Sequence, residues 1–266
     1  MPSYLVTGAA KGLGLEFVNQ LSADSGNIVF AIVRNKATAT QIADLRRTNV
    51  IILEADVDDA KALQFAANDA AKVSGGQLDY LISNAGRSSH SGFTLSGYPT
   101  PEALEHDVLD IFKTNTLGAI HTINAFLPLL NKGSGKKVLV VSSALGDIES
   151  TVSWEFLGAV SYSISKAALN MAVAKYAAEY KPQGFVFVAV HPGIVNTGMS
   201  PTVAGGEGFA RELEMIMAAN KKANPNWQGP IPIEESIRKQ LDILHKWRIE
   251  ETGAFVSYNG DKVWVP

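Results

Sequence analysis

A chain of 266 residues with 46% hydrophobic and 18% charged side chains has core enough for a globular α/β domain and is not a disordered polymer. Its net charge of −3 leaves no basic footprint for nucleic acid or an anionic membrane. The absence of cysteine excludes disulfides, thiolate zinc sites and a thiol nucleophile, and suits a reducing compartment.

Residues 4–7 already read as a strand, with no charged segment and apolar run before them, so no secretory leader is expected. Further strands are expected at 28–33, 50–54 and 78–83, with helices near 13–22, 38–47 and 59–73 between them. Strand–helix alternation at this spacing predicts βαβ units and a parallel sheet covered on both faces. A long helical pattern over 101–130 leads to a strand at 137–141, then a helix around residue 162 and a strand at 185–190. An amphipathic helix over 233–249 and a last strand over 253–258 complete the expected order. No repeat, low-complexity segment or linker divides the chain, which predicts one doubly wound domain. The longest apolar runs are strand-sized, far short of a membrane span. The C-terminal Trp264-Val265-Pro266 matches no lipidation signal, so a soluble, cytoplasmic protein is expected.

Gly8-Ala9-Ala10-Lys11-Gly12-Leu13-Gly14 directly follows the first strand and opens the first helix. Glycine there permits a tight turn and close backbone approach, so that a pyrophosphate can rest on the helix N-terminus. The spacing is G-x-x-x-G-x-G rather than G-x-G-x-x-G. At the end of the second strand, an acid selects a ribose 2′-hydroxyl and a cation a 2′-phosphate. Here the strand runs into Arg34-Asn35-Lys36, and Lys11 adds a second charge from the glycine loop, which points to NADP(H). Asp56-Val57 and Asn84-Ala85-Gly86 close the third and fourth strands, where open α/β sheets bind ligands. Asp56 reads equally as the N-cap of the next helix, and Asn84 and Gly86 as a turn.

Tyr162 and Lys166 are four residues apart, which places them on one helix face. A lysine ammonium beside a phenol favours the phenolate, so the pair suits proton transfer near neutral pH. No histidine lies in a metal-ligand pattern, and no metal is expected. His191 reads either as an acid–base group or as the end of a strand.

Taken in order, Thr7–Gly14, Asp56-Val57, Asn84-Ala85-Gly86, Asn115, Ser142-Ser143, Tyr162-x-x-x-Lys166 and Pro192-Gly193 resemble the short-chain dehydrogenase/reductase family over roughly residues 3–260. Arg34-Asn35, the long segment before Tyr162 and Asn196-Thr197-Gly198-Met199 resemble a branch of small NADPH-dependent carbonyl reductases, among them fungal ketoreductases of secondary metabolism similar to norsolorinic acid ketoreductase. The resemblance implies a Rossmann-type fold and NADPH-dependent reduction of a ketone or aldehyde. Tyr162 would be the general acid, Lys166 would bind the nicotinamide ribose and lower the Tyr162 pKa, and Ser143 would hydrogen-bond the substrate carbonyl oxygen. Asn115 would hold a water that relays protons toward Lys166. Pro192, Gly193, Val195 and Thr197 would contact the nicotinamide end of the cofactor.

Ser150 and Ser153 lie nearer Tyr162 in sequence, but Ser143 follows the fifth strand, where the family places its serine. Residues 144–160 are therefore expected to be an enlarged loop, with Ser142 facing away from the site by strand alternation. Ile148, Trp154, Phe156 and Leu157 in that loop, and a substrate lid over 198–232 carrying Met199, Phe209, Met215 and Trp227, suit a hydrophobic or aromatic carbonyl substrate. A homodimer or homotetramer is implied. The rival readings are a nucleotide-binding sensor or scaffold without turnover, and a biosynthetic enzyme using the same pocket for a non-redox step.

Overall fold

In the computed structural model of the protein, residues 1–89, 91–196, 214–218, 220–222 and 224–264 are described. Short β-branched runs form β1 (Ser3–Thr7), β2 (Ile28–Val33), β3 (Val50–Glu54), β4 (Tyr80–Ser83), β5 (Lys137–Val141) and β6 (Val186–His191). With β9 (Ala254–Ser257) they make a seven-stranded sheet in the order β3-β2-β1-β4-β5-β6-β9, every pair parallel. A two-stranded pair, β7 (Val195–Asn196) with β8 (Ile231–Pro232), stands apart. The strand order reverses between β1 and β4, and that crevice at the carboxyl ends is where ligands bind in such sheets.

Alternation along the strands feeds two apolar layers. Leu5, Phe30 and Leu81 pack on one side with Leu63 of α3 (Ala60–Ser74), Phe126 of α5 (Gly118–Lys132) and Leu169 of α7 (Val160–Tyr180). Val6, Val29 and Ile82 pack on the other with Phe17 of α1 (Gly12–Ser22) and Ile237 and Leu244 of α8 (Ile233–Lys246). The architecture is the expected single Rossmann-like domain. Among the described residues no helix is long and apolar enough to cross a membrane.

Two local expectations are revised and one open alternative is decided. The helix expected over 38–47 is a 3-10 turn, Lys36–Thr38, and a short α2 (Thr40–Asp44), ended where Arg46 takes φ 51°. The cap of α3 is Asp59, which accepts hydrogen bonds from Lys61 N and Ala62 N, whereas Asp56 accepts from Asp58 N in a turn before it. Residues 144–160 are more than a loop: they hold a 3-10 turn, Ala144–Gly146, and α6 (Ile148–Ser153), capped by Asp147.

The helical pattern over 101–130 is interrupted by a π-turn, Lys113–Leu117, between α4 (Pro101–Phe112) and α5. Three successive side chains explain it. Thr114 donates to Asp58 Oδ2, Asn115 bonds the Arg87 backbone, and Thr116 donates to Ser165 O. Each is drawn to a different neighbour, and one extra residue in the turn accommodates all three; such π-turns are frequent at functional sites.

The amino end of the sheet is stapled by Asp79. Its Oδ2 accepts from Ser3 N and Ser3 Oγ, and its Oδ1 from Ser134 N, Ser134 Oγ and Gly135 N. Burial pushes the carboxyl up, but these hydrogen bonds together outweigh it and leave the pKa below the ordinary value. The stabilisation is therefore present above about pH 4 and is lost as pH falls through the depressed folded pKa. Asp79→Ala should lower unfolding free energy by about 3 kcal/mol at pH 7 in urea titrations. The gap from wild type should shrink below pH 4; a constant gap would mean that Asp79 acts through packing alone.

Candidate active site

The glycine loop fits a nucleotide by elimination of side chains. Gly8 has φ 65°, and a Cβ on it would lie 2.9 Å from Ala85 Cα. A Cβ on Gly14 would lie 2.1 Å from Gly8 O, so only glycine lets the first turn of α1 close on the loop. Gly12, φ 56°, faces open space, as a cradle for phosphate requires. Leu13 packs into the core beneath it. The loop is braced from β4: Thr7 Oγ1 accepts from both Asn84 N and Ala85 N at 3.0 Å, and Asn84 Nδ2 donates to Thr7 O. Asn84 and Ala85 thus build the crevice floor rather than a mere turn.

Lys11 is exposed in the glycine loop and Arg34 at the corner where β2 ends, with no ion pair to either among the described residues. A carboxylate does reach this corner from the adjacent strand. Glu54, register partner of Val33, accepts from Lys36 N at 2.8 Å. Val57 is buried against Gly118, where a Cβ would come within 2.9 Å of Val57 Cγ2.

Tyr162, Lys166 and Ser143 meet at the carboxyl end of β5. Lys166 is 4% exposed, and its Nζ donates to Val141 O at 2.8 Å and lies 5.6 Å from the centre of the Tyr162 ring. Burial pulls its ammonium down to about 8. Burial pushes the Tyr162 phenol up, and the Ser143 hydroxyl beside it pulls it partly back. The expected lowering of the Tyr162 pKa by Lys166 is not seen: desolvation raises it, only Ser143 opposes that, and the phenol stays protonated at neutral pH. Ser143 also caps the following turn, accepting from Leu145 N at 3.2 Å. Ser142 points elsewhere, to Asn170 Oδ1 at 2.6 Å. Ser150 is held by Asp147 and Ser153 by the Ser150 backbone, so neither competes with Ser143.

Asn115 is fully buried in the π-turn. Its Oδ1 accepts from Arg87 N, and its Nδ2 donates to Arg87 O and Ser165 Oγ. Both amide hydrogens are spent, and Oδ1 keeps one further lone pair. Gly86 sits between the two groups; a Cβ there would meet Asn115 Oδ1 at 3.1 Å and Lys166 Nζ at 3.7 Å.

The decisive comparison is of sequence. A sequence model described as short chain dehydrogenase matches residues 3–207. The chain belongs to the short-chain dehydrogenase/reductase family. This oxidoreductase is 40% identical over 270 residues to the short-chain dehydrogenase/reductase AacuF of Aspergillus aculeatus, covering all of both chains. It is 38% identical over 273 residues to the short chain dehydrogenase virK of Hypocrea virens, again over all of both. Among solved structures, an NADPH-bound carbonyl reductase from chicken fatty liver aligns at TM-score 0.79 with 28% identity over 98% of each chain. The carbonyl reductase Sniffer of D. melanogaster aligns at 0.78, with the same identity and coverage.

In this dehydrogenase/reductase the turn after β6 is anchored from two sides. Pro192 O accepts from Ser236 Oγ at 2.6 Å, and Gly193, φ 84°, packs where a Cβ would strike the Tyr258 ring at 2.8 Å. Val195 follows in β7, while Thr197 and residues 198–213 lie outside the described residues. His191 ends β6, buried edge-on against Trp264, with its pKa pulled down to about 4. It therefore stays neutral, as a strand-end residue.

The apolar cluster before Tyr162 divides. Phe156 is buried, and Gly158 approaches Met215 while Glu155 pairs with Lys222 at 2.6 Å, so this part meets the expected lid. Leu157 is exposed. Ile148 and Trp154 instead line a cavity of ≈ 840 Å³ with Met171, Phe255 and Trp264, whose walls include neither Ser143 nor Tyr162. The six-residue α6 turns them to the outer side of α7. Thr7, Arg87 and Ser165 were not singled out by sequence reasoning as site residues. Ser165, three residues after Tyr162 with its hydroxyl on Tyr162 O, was detectable as a serine bonding back along its own helix.

The depressed Lys166 pKa makes a stability claim. Below about 8 the lysine is charged in folded and unfolded chains alike; between about 8 and 10.5 only the unfolded chain keeps the proton, so rising pH favours the fold. Wild type should gain about 3 kcal/mol over Lys166→Met across that window in urea titrations. Parallel pH profiles would mean that Lys166 titrates as an ordinary surface lysine.

Proposed function

We propose that the protein is an NADPH-dependent reductase of a ketone or aldehyde on a hydrophobic or aromatic small molecule. The observation that carries this is the convergence of Ser143, Tyr162 and buried Lys166 at the end of β5, beside the glycine crevice. When bound, the nicotinamide would supply the hydride. Tyr162, kept protonated by burial, would give its proton to the substrate oxygen, which is the direction reduction needs. Ser143 would donate to that oxygen as charge grows on it. Lys166 would steady the developing phenolate and bind the ribose, within reach of Gly86 and Asn115.

Gly8, Lys11, Gly12, Leu13 and Gly14 would hold the pyrophosphate, Asp56 and Val57 the adenine, and Asn84, Ala85 and Gly86 the adjoining ribose. Pro192, Gly193, Val195 and Thr197 would flank the nicotinamide. Arg34 and Lys11 would neutralise the 2′-phosphate; the Glu54 carboxylate is already engaged by a backbone amide. The apolar side chains left exposed on α4 and α7, among them Leu109, Ile164 and Met171, suit a homodimer or homotetramer.

Tyr162→Phe should abolish NADPH oxidation followed at 340 nm with aromatic ketones while leaving NADPH affinity within about threefold of wild type, since the lost hydroxyl acts on the substrate. Unchanged turnover would remove Tyr162 as the acid. Arg34→Asp should lower the NADPH/NADH preference by about tenfold to a hundredfold, the range for one charge-assisted phosphate contact. An unaltered ratio would place the phosphate contact on other residues.

A further inference from the structure

Ser165 lies between Tyr162 and Lys166 on α7, but its side chain faces the π-turn. Its hydroxyl is completely buried and has two partners: it accepts from Asn115 Nδ2 at 3.0 Å and donates to Tyr162 O at 2.7 Å. Its carbonyl accepts from Thr116 Oγ1 at 2.9 Å. The Asn115 carboxamide has its remaining donor on Arg87 O at 2.8 Å and its Oδ1 on Arg87 N at 2.8 Å. The four of these bonds that involve the Ser165 hydroxyl or the Asn115 carboxamide close a chain from the backbone of Tyr162, through Ser165 and Asn115, to the segment that follows Gly86. Gly86 itself lies beside Lys166 Nζ, which a Cβ on it would approach to 3.7 Å.

We infer that Ser165 is a positioning residue for the reaction: it fixes the tilt of the Asn115 carboxamide and ties it to the first turn of α7. Asn115, so held, sets the height of the Gly86-Arg87 backbone over Lys166. Removal of the hydroxyl leaves a buried Nδ2 hydrogen unpartnered, and the amide recovers a bond only by turning away from Arg87. Lys166 and the 86–87 backbone then lose their fixed separation, while the glycine loop at residues 8–14, braced independently by Thr7 and Asn84, is untouched. The effect falls more on turnover than on nucleotide affinity, because the braced glycine loop keeps its hold and only the contacts of Gly86 and Lys166 are disturbed.

The inference rests on the reductase reading, and the test separates the two. Ser165→Ala should lower kcat about tenfold with KM for NADPH within about twofold, the loss expected when one buried hydrogen bond no longer holds a catalytic geometry. Thr116→Val removes the neighbouring bond to the Ser165 carbonyl and loosens the π-turn but leaves both carboxamide partners in place, and should lower kcat less than Ser165→Ala does. In an Asn115→Ala background, Ser165→Ala should cost nothing further, because its partner is gone. An equal loss from Thr116→Val, or the full Ser165→Ala loss in the Asn115→Ala background, would overturn the inference in favour of simple helix docking. If wild type turns over no carbonyl compound, the reductase reading fails and a second readout decides. The Asn115 side-chain amide resonance, identified by its disappearance in Asn115→Ala, should shift and exchange faster with solvent in Ser165→Ala. An unmoved, protected resonance would overturn the inference without reference to activity.

Discussion

The site depends on one constraint, the burial of the Lys166 ammonium between β5 and α7. A charge taken out of water is costly unless it is well partnered, and here the contacts are the Val141 carbonyl and the Tyr162 ring. Two glycines line the course of Lys166: a Cβ on Gly86 would lie 3.7 Å from Lys166 Nζ, and one on Gly146 would lie 2.8 Å from the Lys166 backbone carbonyl carbon. The outcome is an ammonium near 8 and a phenol held protonated, side by side. Stability is spent on poising these two groups, as is common where function and stability conflict.

The sheet delivers the two halves of the site to that point. Parallel pairing aligns the carboxyl ends of β1, β4, β5 and β6, so Thr7, Ser83, Val141 and His191 reach one rim. The β1–β4 reversal opens a crevice whose floor is the Thr7–Asn84 brace, and β5 carries Ser143 and the Lys166 acceptor to its other end. The π-turn joins the halves. It lets Asn115 leave the α4–α5 line and hold the backbone beyond Gly86, at the boundary between nucleotide crevice and proton-handling groups.

Much of this was legible in the sequence because it rests on local chemistry. The β-branched runs at 28–33 and 50–54 are the observed β2 and β3, and the glycines of residues 8–14 are needed where they stand. What escaped depends on non-local pairing. The 101–130 pattern keeps its periodicity through the π-turn, because Thr114, Asn115 and Thr116 are diverted by partners 28 to 56 positions away. Asp56 and Asp59 are chemically identical candidates for a cap, and only the path of the chain chooses Asp59. Glu54 reaches the Arg34 corner through strand register, which the sequence does not display. Ile148 and Trp154 read as pocket walls by nearness to Tyr162, but a short helix turns them to a separate cavity.

The most direct test of the central claim follows the hydrogen itself. NADPH carrying deuterium at both C4 positions of the nicotinamide would be incubated with the protein and a panel of aromatic ketones, and the products examined by mass spectrometry. The account predicts one deuterium on the carbinol carbon of the alcohol, with the hydroxyl hydrogen drawn from solvent by way of Tyr162. Saturating NADPH binding with no deuterium in any product would contradict it and point to a site that binds the nucleotide without reducing a carbonyl group.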